Sequence, residues 1–249
     1  MFVGDFGDRD ITVIKQIKKL SIPKAAILGN HDHGRDGTGE FLRAQVNLLG
    51  DIECSWKLKS LKKPPLSIVG ARPCSPGGGF YLSKEVSAVF GDKTVEESAE
   101  MIYQAAMLAP NNDPLVILAH SGPTGLGSDP FSLCGRDWKI PSCDWGDNDL
   151  MLAIKKIHER RNISLVTFGH THHTLKRGNK KRNTFFVDNL GILYLNTASV
   201  PRKGKNYEGV FLHHFSWVEF KENKVHNVSH RWYTKFGELA YVEELFSEK

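Results

Sequence analysis

Long apolar runs are missing from this chain: none approaches the roughly 18–20 residues that cross a bilayer. Its opening, Met1-Phe2-Val3-Gly4-Asp5, has no basic leader and no apolar core of the length a signal peptide needs. It is not Arg/Ser-rich in the manner of a transit peptide either. Cysteine is scarce and scattered. Cys54, Cys74, Cys134 and Cys143 form no C-x-x-C pair, which speaks against a structural zinc cage or a disulfide frame and for reduced thiols. Without a secretory leader, the N-x-S sequons at Asn162 and Asn227 carry no weight. Charge of one sign is also in short supply, at a formal +5. The basic run Lys176-Arg177 and Lys180-Lys181-Arg182 has no interleaved aromatics for base stacking and reads as a solvated loop. No nucleic-acid binding patch is evident, which leaves nucleic acid open only as a substrate.

What is present is the composition of an ordinary globular protein, 249 residues with 40% hydrophobic and 24% charged, long enough for a sizeable core. Phe2-Val3 reads as the end of a strand. From Asp10 to Leu20 the apolar residues Ile11, Ile14, Ile17 and Leu20 mark one face of a helix, and residues 24–28 form a short apolar strand. Strand, helix, strand is a βαβ unit with a parallel pair. A second amphipathic helix spans residues 40–49 and stops at Gly50. Residues 53–60 alternate, with Cys54, Trp56 and Leu58 on one face, as a half-exposed strand does, and Lys62-Lys63-Pro64-Pro65 turns them into a hairpin partner at 66–71. Thr94-Val95-Glu96-Glu97 is a capping box opening a helix to about Leu108.

Buried strands follow at 115–119 and 163–168, with a helix capped by Asp147 or Asn148 between them. Residues 121–145 show no periodicity, and loops of such length inside a compact domain are usually functional. Residues 184–233 read as strands paired through Asn189-Leu190-Gly191 and Glu222-Asn223-Lys224, and 238–246 as a last short helix. No repeat or linker breaks the chain, so a single domain over 1–249 is expected.

The chemistry gathers just past the apolar strands: Asp5, then Asn30, His31 and Asp32, then His120, then His170 and His172. Parallel strands bring such ends to one edge of a sheet, where α/β proteins bind ligands. Glycine precedes Asp5, Asn30 and His170, allowing backbone to pass close to a small site. Carboxylate, amide oxygen and imidazole are donors of intermediate hardness that suit Mn, Fe or Zn. Shared between two ions, such a set can clamp a phosphoryl group.

Gly4-Asp5-Phe6-Gly7-Asp8, Gly29-Asn30-His31-Asp32, Ala119-His120 and Gly169-His170-Thr171-His172 resemble, in order and context, the successive motifs of the calcineurin-like metallophosphoesterase superfamily. Gly70-Ala71-Arg72-Pro73, the Gly77-Gly78-Gly79 run and the doubled His172-His173 are further similar to a branch from plants and cyanobacteria. The resemblance implies an α/β fold, a four-layer α/β/β/α sandwich. It implies hydrolysis of a phosphomonoester or phosphodiester by a two-metal-activated hydroxide. Asp5 would bridge two metals, Asn30, His120 and His170 would complete one shell, and His172 would serve the other. His31 would be the general acid, with Asp32 holding its ring.

One departure stands out. The superfamily begins with a strand carrying Asp-x-His, and none precedes Gly4 here. The expectation is a shortened chain lacking its first strand, holding one metal where a complete enzyme holds two, with doubtful activity. The alternative is an impaired metal- or phosphate-binding module with a single metal site, and a third reading makes the histidines purely structural. Arg9, Arg72, Arg136 and Arg202 are candidates for contacting a phosphate. The loop at 121–145, with Phe131 and Trp138, is expected to shape the pocket mouth. The partner is a phosphorylated substrate of unassigned class, with no membrane. The compartment is cytoplasmic by default, a chloroplast-targeted full-length form staying open.

Overall fold

A computed structural model describes residues 1–7, 10–178 and 180–248. The opening βαβ unit is present in abbreviated form. Residues 1–3 and 24–28 run parallel with one bridge between Phe2 and Ala26, made by the Phe2 N–H to the Ala25 carbonyl and the Ile27 N–H to the Phe2 carbonyl, both 3.0 Å. Between them α1 (Thr12–Lys19) buries Ile14 and Ile17 but leaves Leu20 exposed. Helix α2 (Glu40–Leu49) has the bounds its periodicity gives, and buries Leu42, Gln45 and Leu49.

The stretch at 53–60 differs from its reading. Residues 53–56 are all buried, bridging Ala26 on one side and Gly70 on the other. Backbone on both flanks and Ser98 of the following helix layer, which receives the Trp56 Nε1–H at 2.8 Å, leave no solvent face for an alternation to mark. Trp56 then turns the chain at a φ of 52°, and the strand proper, β1 (Leu58–Lys62), pairs antiparallel with β2 (Pro65–Gly70).

A short helix unanticipated from the sequence, α3 (Lys84–Phe90), starts where the Ser83 hydroxyl accepts the Val86 N–H. Helix α4 (Val95–Met107) opens on the expected capping box, with both reciprocal bonds between Thr94 and Glu97 formed. Next come β3 (Leu115–Leu118), α5 (Asn148–His158), β4 (Leu165–Phe168), β5 (Phe185–Val187), β6 (Leu193–Asn196), β7 (Lys203–Lys205), β8 (Phe211–Lys221), β9 (Lys224–Thr234) and β10 (Leu239–Ser247). Asp147 precedes α5, but its side chain makes no cap bond.

The expected helix at 238–246 is therefore the edge strand β10. Register shifts between Leu239 and Tyr241 and between Glu244 and Phe246 break its two-residue rhythm and hide the strand. Pairing with β9 and the packing of Leu245 and Phe246 onto the core override a composition that suits a helix. The turn from β8 to β9 has Glu222 and Asn223 at φ 49° and 65°, the left-handed pair that a two-residue hairpin requires.

Two sheets result. The first has the order β1-β2-β3-β4-β6-β5, with β2, β3, β4 and β6 mutually parallel and antiparallel partners at both edges. The second, β10-β9-β8-β7, is antiparallel throughout. Strands β3 and β4 are buried on both faces. Val225 and Val228 of the second sheet join the core of the first, and the Phe185 and Phe246 rings meet at 5.7 Å. Helices α4 and α5 pack into that core, while α1, α2 and α3 enclose a second cluster around Phe6, Ala26 and Leu28. The architecture is the α/β fold expected, two sheets with two helix groups. Among the described residues no helix is long and apolar enough to cross a membrane.

Candidate metal centre

The parallel strands β3 and β4 stop at a common edge, and the loops leaving residues 1–3 and 24–28 end there too. Asp5 and His170 leave in left-handed backbone, at φ 57° and 63°, which side chains other than glycine rarely adopt. The glycines beside them make the crossing possible. A Cβ on Gly29 would lie 2.3 Å from Asp5 Oδ1 and 2.6 Å from His120 Cε1, and one on Gly4 would lie 2.4 Å from the Gly29 nitrogen.

The His120 ring is buried, with Nδ1 2.6 Å from the Val3 carbonyl. A carbonyl only accepts, so Nδ1 carries the hydrogen, and in a neutral ring Nε2 presents a lone pair. That lone pair faces Asn30 Oδ1 at 2.9 Å and Asp5 Oδ1 at 3.4 Å. His170 Nδ1 meets the same Asn30 oxygen at 2.9 Å, and the two imidazoles stand edge to face at 5.2 Å. Without a cation, a neutral His170 ring donates its Nδ1–H to Asn30 Oδ1, whereas the facing acceptors His120 Nε2 and Asn30 Oδ1 are reconciled only by turning the Asn30 amide over or by adding a proton between them. Burial and the neighbouring His120 push the His170 pKa down to about 3, so that ring is neutral and has a lone pair to offer on one nitrogen. A cation reconciles all four groups where they stand. Donors on one ion at about 2.0–2.2 Å lie about 3–3.4 Å apart, which is the spacing seen between neighbours here. Asp5, Asn30, His120 and His170 therefore fit a metal.

Burial works to raise the Asp5 pKa, but His120, the His31 amide and the flanking imidazoles outweigh it and hold the carboxyl below its ordinary value. The His31 N–H donates to Asp5 Oδ1 at 3.1 Å, and the exposed side chain lines the cleft above. Asp32 is tied to the backbone of two loops. Its buried carboxylate accepts the N–H groups of Gly29 and Asp5 on Oδ2, at 2.7 and 2.8 Å, and of Phe6 and Gly7 on Oδ1, at 2.7 and 3.3 Å. Both oxygens are spent on backbone, so Asp32 ties the loop at 4–7 to the turn at 29–32 and fixes where Asp5 points. Burial, with the Asp5 charge adding to it, raises the Asp32 pKa against the pull of those amides.

His172 is exposed and lines the same cleft, its pKa lowered by the partial loss of solvent on the cleft side. No hydrogen bond or ion pair among the described residues joins it to the other four. The cleft, about 600 Å³, is walled by Asp5, His31, Asp137, Trp138, His170 and His172, with Lys176 at its rim. Trp138 is thus where the long loop was expected to put it, whereas Phe131 lies outside the lining, under Lys180.

The arginine candidates divide. Arg72 is buried and bonded to Asp147 at 2.8 Å and Asp149 at 3.1 Å, a structural clamp and no phosphate contact. Arg136 stacks on Trp145 at 5.0 Å and donates to the Pro141 carbonyl. Arg202 is exposed and its charge is felt at Asp5. Asp8 of the first motif and Arg9 lie outside the described residues.

Arg182 belongs to the basic run whose composition predicts a solvated loop, and the structure places it inside. It is buried, and donates to the carbonyls of Pro130, Ser132 and Gly135 at 2.8, 2.6 and 2.6 Å, to that of His172 at 3.0 Å, and to Asp137 at 2.9 Å. It joins the long loop to the histidine turn. Nothing in the local composition marks one arginine of that run as interior.

Fold and donor set define an α/β protein of two sheets with a candidate metal centre at the edge of its parallel strands. The family model for calcineurin-like phosphoesterases matches residues 1–174, and the chain belongs to that family. The family implies divalent metal ions and phosphoester hydrolysis. A dimetal phosphatase from Danio rerio has a similar fold, with a TM-score of 0.50 and 10% identity over 98% of this chain and 81% of that one. No curated protein sequence matches the chain.

Proposed function

We propose that the chain hydrolyses a phosphate ester, monoester or diester, in the cleft over Asp5, Asn30, His120 and His170, using Mn, Fe or Zn. The observation that carries this reading is the His120 Nε2 lone pair facing two further acceptors, Asn30 Oδ1 at 2.9 Å and Asp5 Oδ1 at 3.4 Å, with the His170 ring beside them. A divalent ion bound there supplies charge to the phosphoryl oxygens and an activated water nucleophile. The protein's own part is placement. Asp32 holds the two loops in register, Val3 fixes the His120 tautomer, and Arg182 anchors the turn that presents His172. His31, at the open side of Asp5, gives its ring proton to the leaving oxygen. Arg202 is the cation offered to the phosphate, and Trp138 and Lys176 border the substrate.

A second reading rests on His172, which stands apart from the four joined donors. A chain with only Asp5 and His172 for another ion holds one metal and serves as a metal- or phosphate-binding module. Metal analysis with aryl and alkyl phosphates separates the two. The hydrolase is expected to turn over both, and His31→Gln to lose about 10²–10⁴-fold on the alkyl ester, which needs its leaving oxygen protonated, and far less on the aryl ester. One bound ion with no turnover of either ester supports the module. No metal bound by the purified chain refutes both.

A further inference from the structure

The doubled histidine after Thr171 divides between two places. His172 lines the cleft, whereas the ring of His173 lies against the second sheet, 4.9 Å from that of His230 on β9 and 5.8 Å from that of His214 on β8. The rings of His214 and His230 are 5.0 Å apart. One nitrogen from each of the three lies within 4.8 Å of the other two, outside the cleft already described.

Each ring is poised differently. His173 donates its Nε2–H to the Asn196 carbonyl at 2.9 Å, which leaves the Nδ1 lone pair free to bind. Tethering one ring nitrogen to a carbonyl is how proteins fix the tautomer of a metal-binding histidine. His230 meets the Ser216 hydroxyl at 3.0 Å and the Thr184 hydroxyl at 2.9 Å, one on each nitrogen. A neutral ring gives its hydrogen to one hydroxyl and takes one from the other, and a metal can displace the latter. His214 is 6% exposed, and no hydrogen bond from the described residues reaches either of its nitrogens. Packing on Trp232 at 4.9 Å accounts for the place of that ring, and its nitrogens keep a lone pair for a ligand.

We propose that His173, His214 and His230 form a second metal site, for one Zn²⁺ or Cu²⁺ ion, between the two sheets. Nitrogens around a tetrahedral Zn²⁺ sit about 3.4 Å apart, so each ring moves on the order of an ångström to close on the ion. Three neutral imidazoles supply nitrogen and no charge, a set that selects Zn²⁺ or Cu²⁺ over Mg²⁺, Ca²⁺ or Mn²⁺. The nearby charges of Arg202 and Lys181 further disfavour an ion held by charge alone. The ion pins β8 and β9 to the loop after β4, and through the peptide joining residues 172 and 173 it steadies the cleft histidine.

The test is Zn²⁺ binding to the metal-stripped chain, with melting temperature as a second readout. The Asp5→Asn, His120→Gln double variant is expected to keep one Zn²⁺ and to melt higher when Zn²⁺ is added. His214→Gln, and His214→Phe with its ring packing on Trp232 retained, are expected to bind one Zn²⁺ fewer than the native chain. Should a His214 variant not fold, the imidazole nitrogen resonances of His173 and His230 in the native chain decide, and are expected to shift with saturating Zn²⁺ and not with Mn²⁺. An unchanged Zn²⁺ count in the folded His214 variants, complete loss of Zn²⁺ in the cleft double variant, or unmoved resonances overturn the proposal.

Discussion

Arg182 and Asp137 show what one buried side chain decides. Four carbonyls and a carboxylate surround the guanidinium, and two of the segments it joins border the cleft. Arg182→Met removes the charge and leaves Asp137 buried beside empty donor positions, so a loss of about 3–5 kcal/mol is expected in denaturant unfolding. Arg72 presents the opposite imbalance, one cation facing the buried carboxylates of Asp147 and Asp149. Burial pushes the Asp147 pKa up to about 7 despite the attraction of Arg72, with the Asp149 charge adding to the rise. Unfolded, the same group ionises near 3.9. Between those values the folded protein holds the extra proton, so the contribution of Asp147 to stability falls as pH rises from about 4 to 7 and is level above. Asp147→Asn lacks that dependence. The stability of the native chain relative to this variant is expected to decline across the window, and parallel denaturant melts from pH 4 to pH 8 read it out. The donors were legible residue by residue because each directly follows an apolar strand. That Asp32 ties two loops together was not legible, since the four amides it binds come from loops whose approach no local pattern encodes.

At the scale of elements, local chemistry was readable where it is self-contained. Helix α2 ends at a glycine, and α4 begins on a box whose two bonds lie within four residues. Thr94→Ala removes the hydroxyl that accepts the Glu97 N–H, and a loss of about 1 kcal/mol is expected in thermal or denaturant melts, with the cleft unaffected. Pattern failed where neighbours decide. Residues 53–56 are covered by backbone on both sides, so their alternation marks no surface. Strand β10 is held by β9 and by the core beneath Phe246, neither of which its own sequence records.

Across the whole molecule, the centre depends on the parallel order of the first sheet. Residues far apart in sequence, Asp5, Asn30, His120 and His170, meet because the segments before them all run the same way and stop at one edge. The second sheet closes the opposite side of the core and carries the histidines that meet His173. The measurement that bears most directly on this arrangement is anomalous X-ray diffraction from the purified chain grown with Mn²⁺ or Zn²⁺. The expected result is a metal peak about 2.0–2.3 Å from Asp5, Asn30, His120 and His170 together. A fully metal-exposed crystal with no peak among those four groups, their nitrogens and oxygens joined to one another by hydrogen bonds alone, would contradict the account.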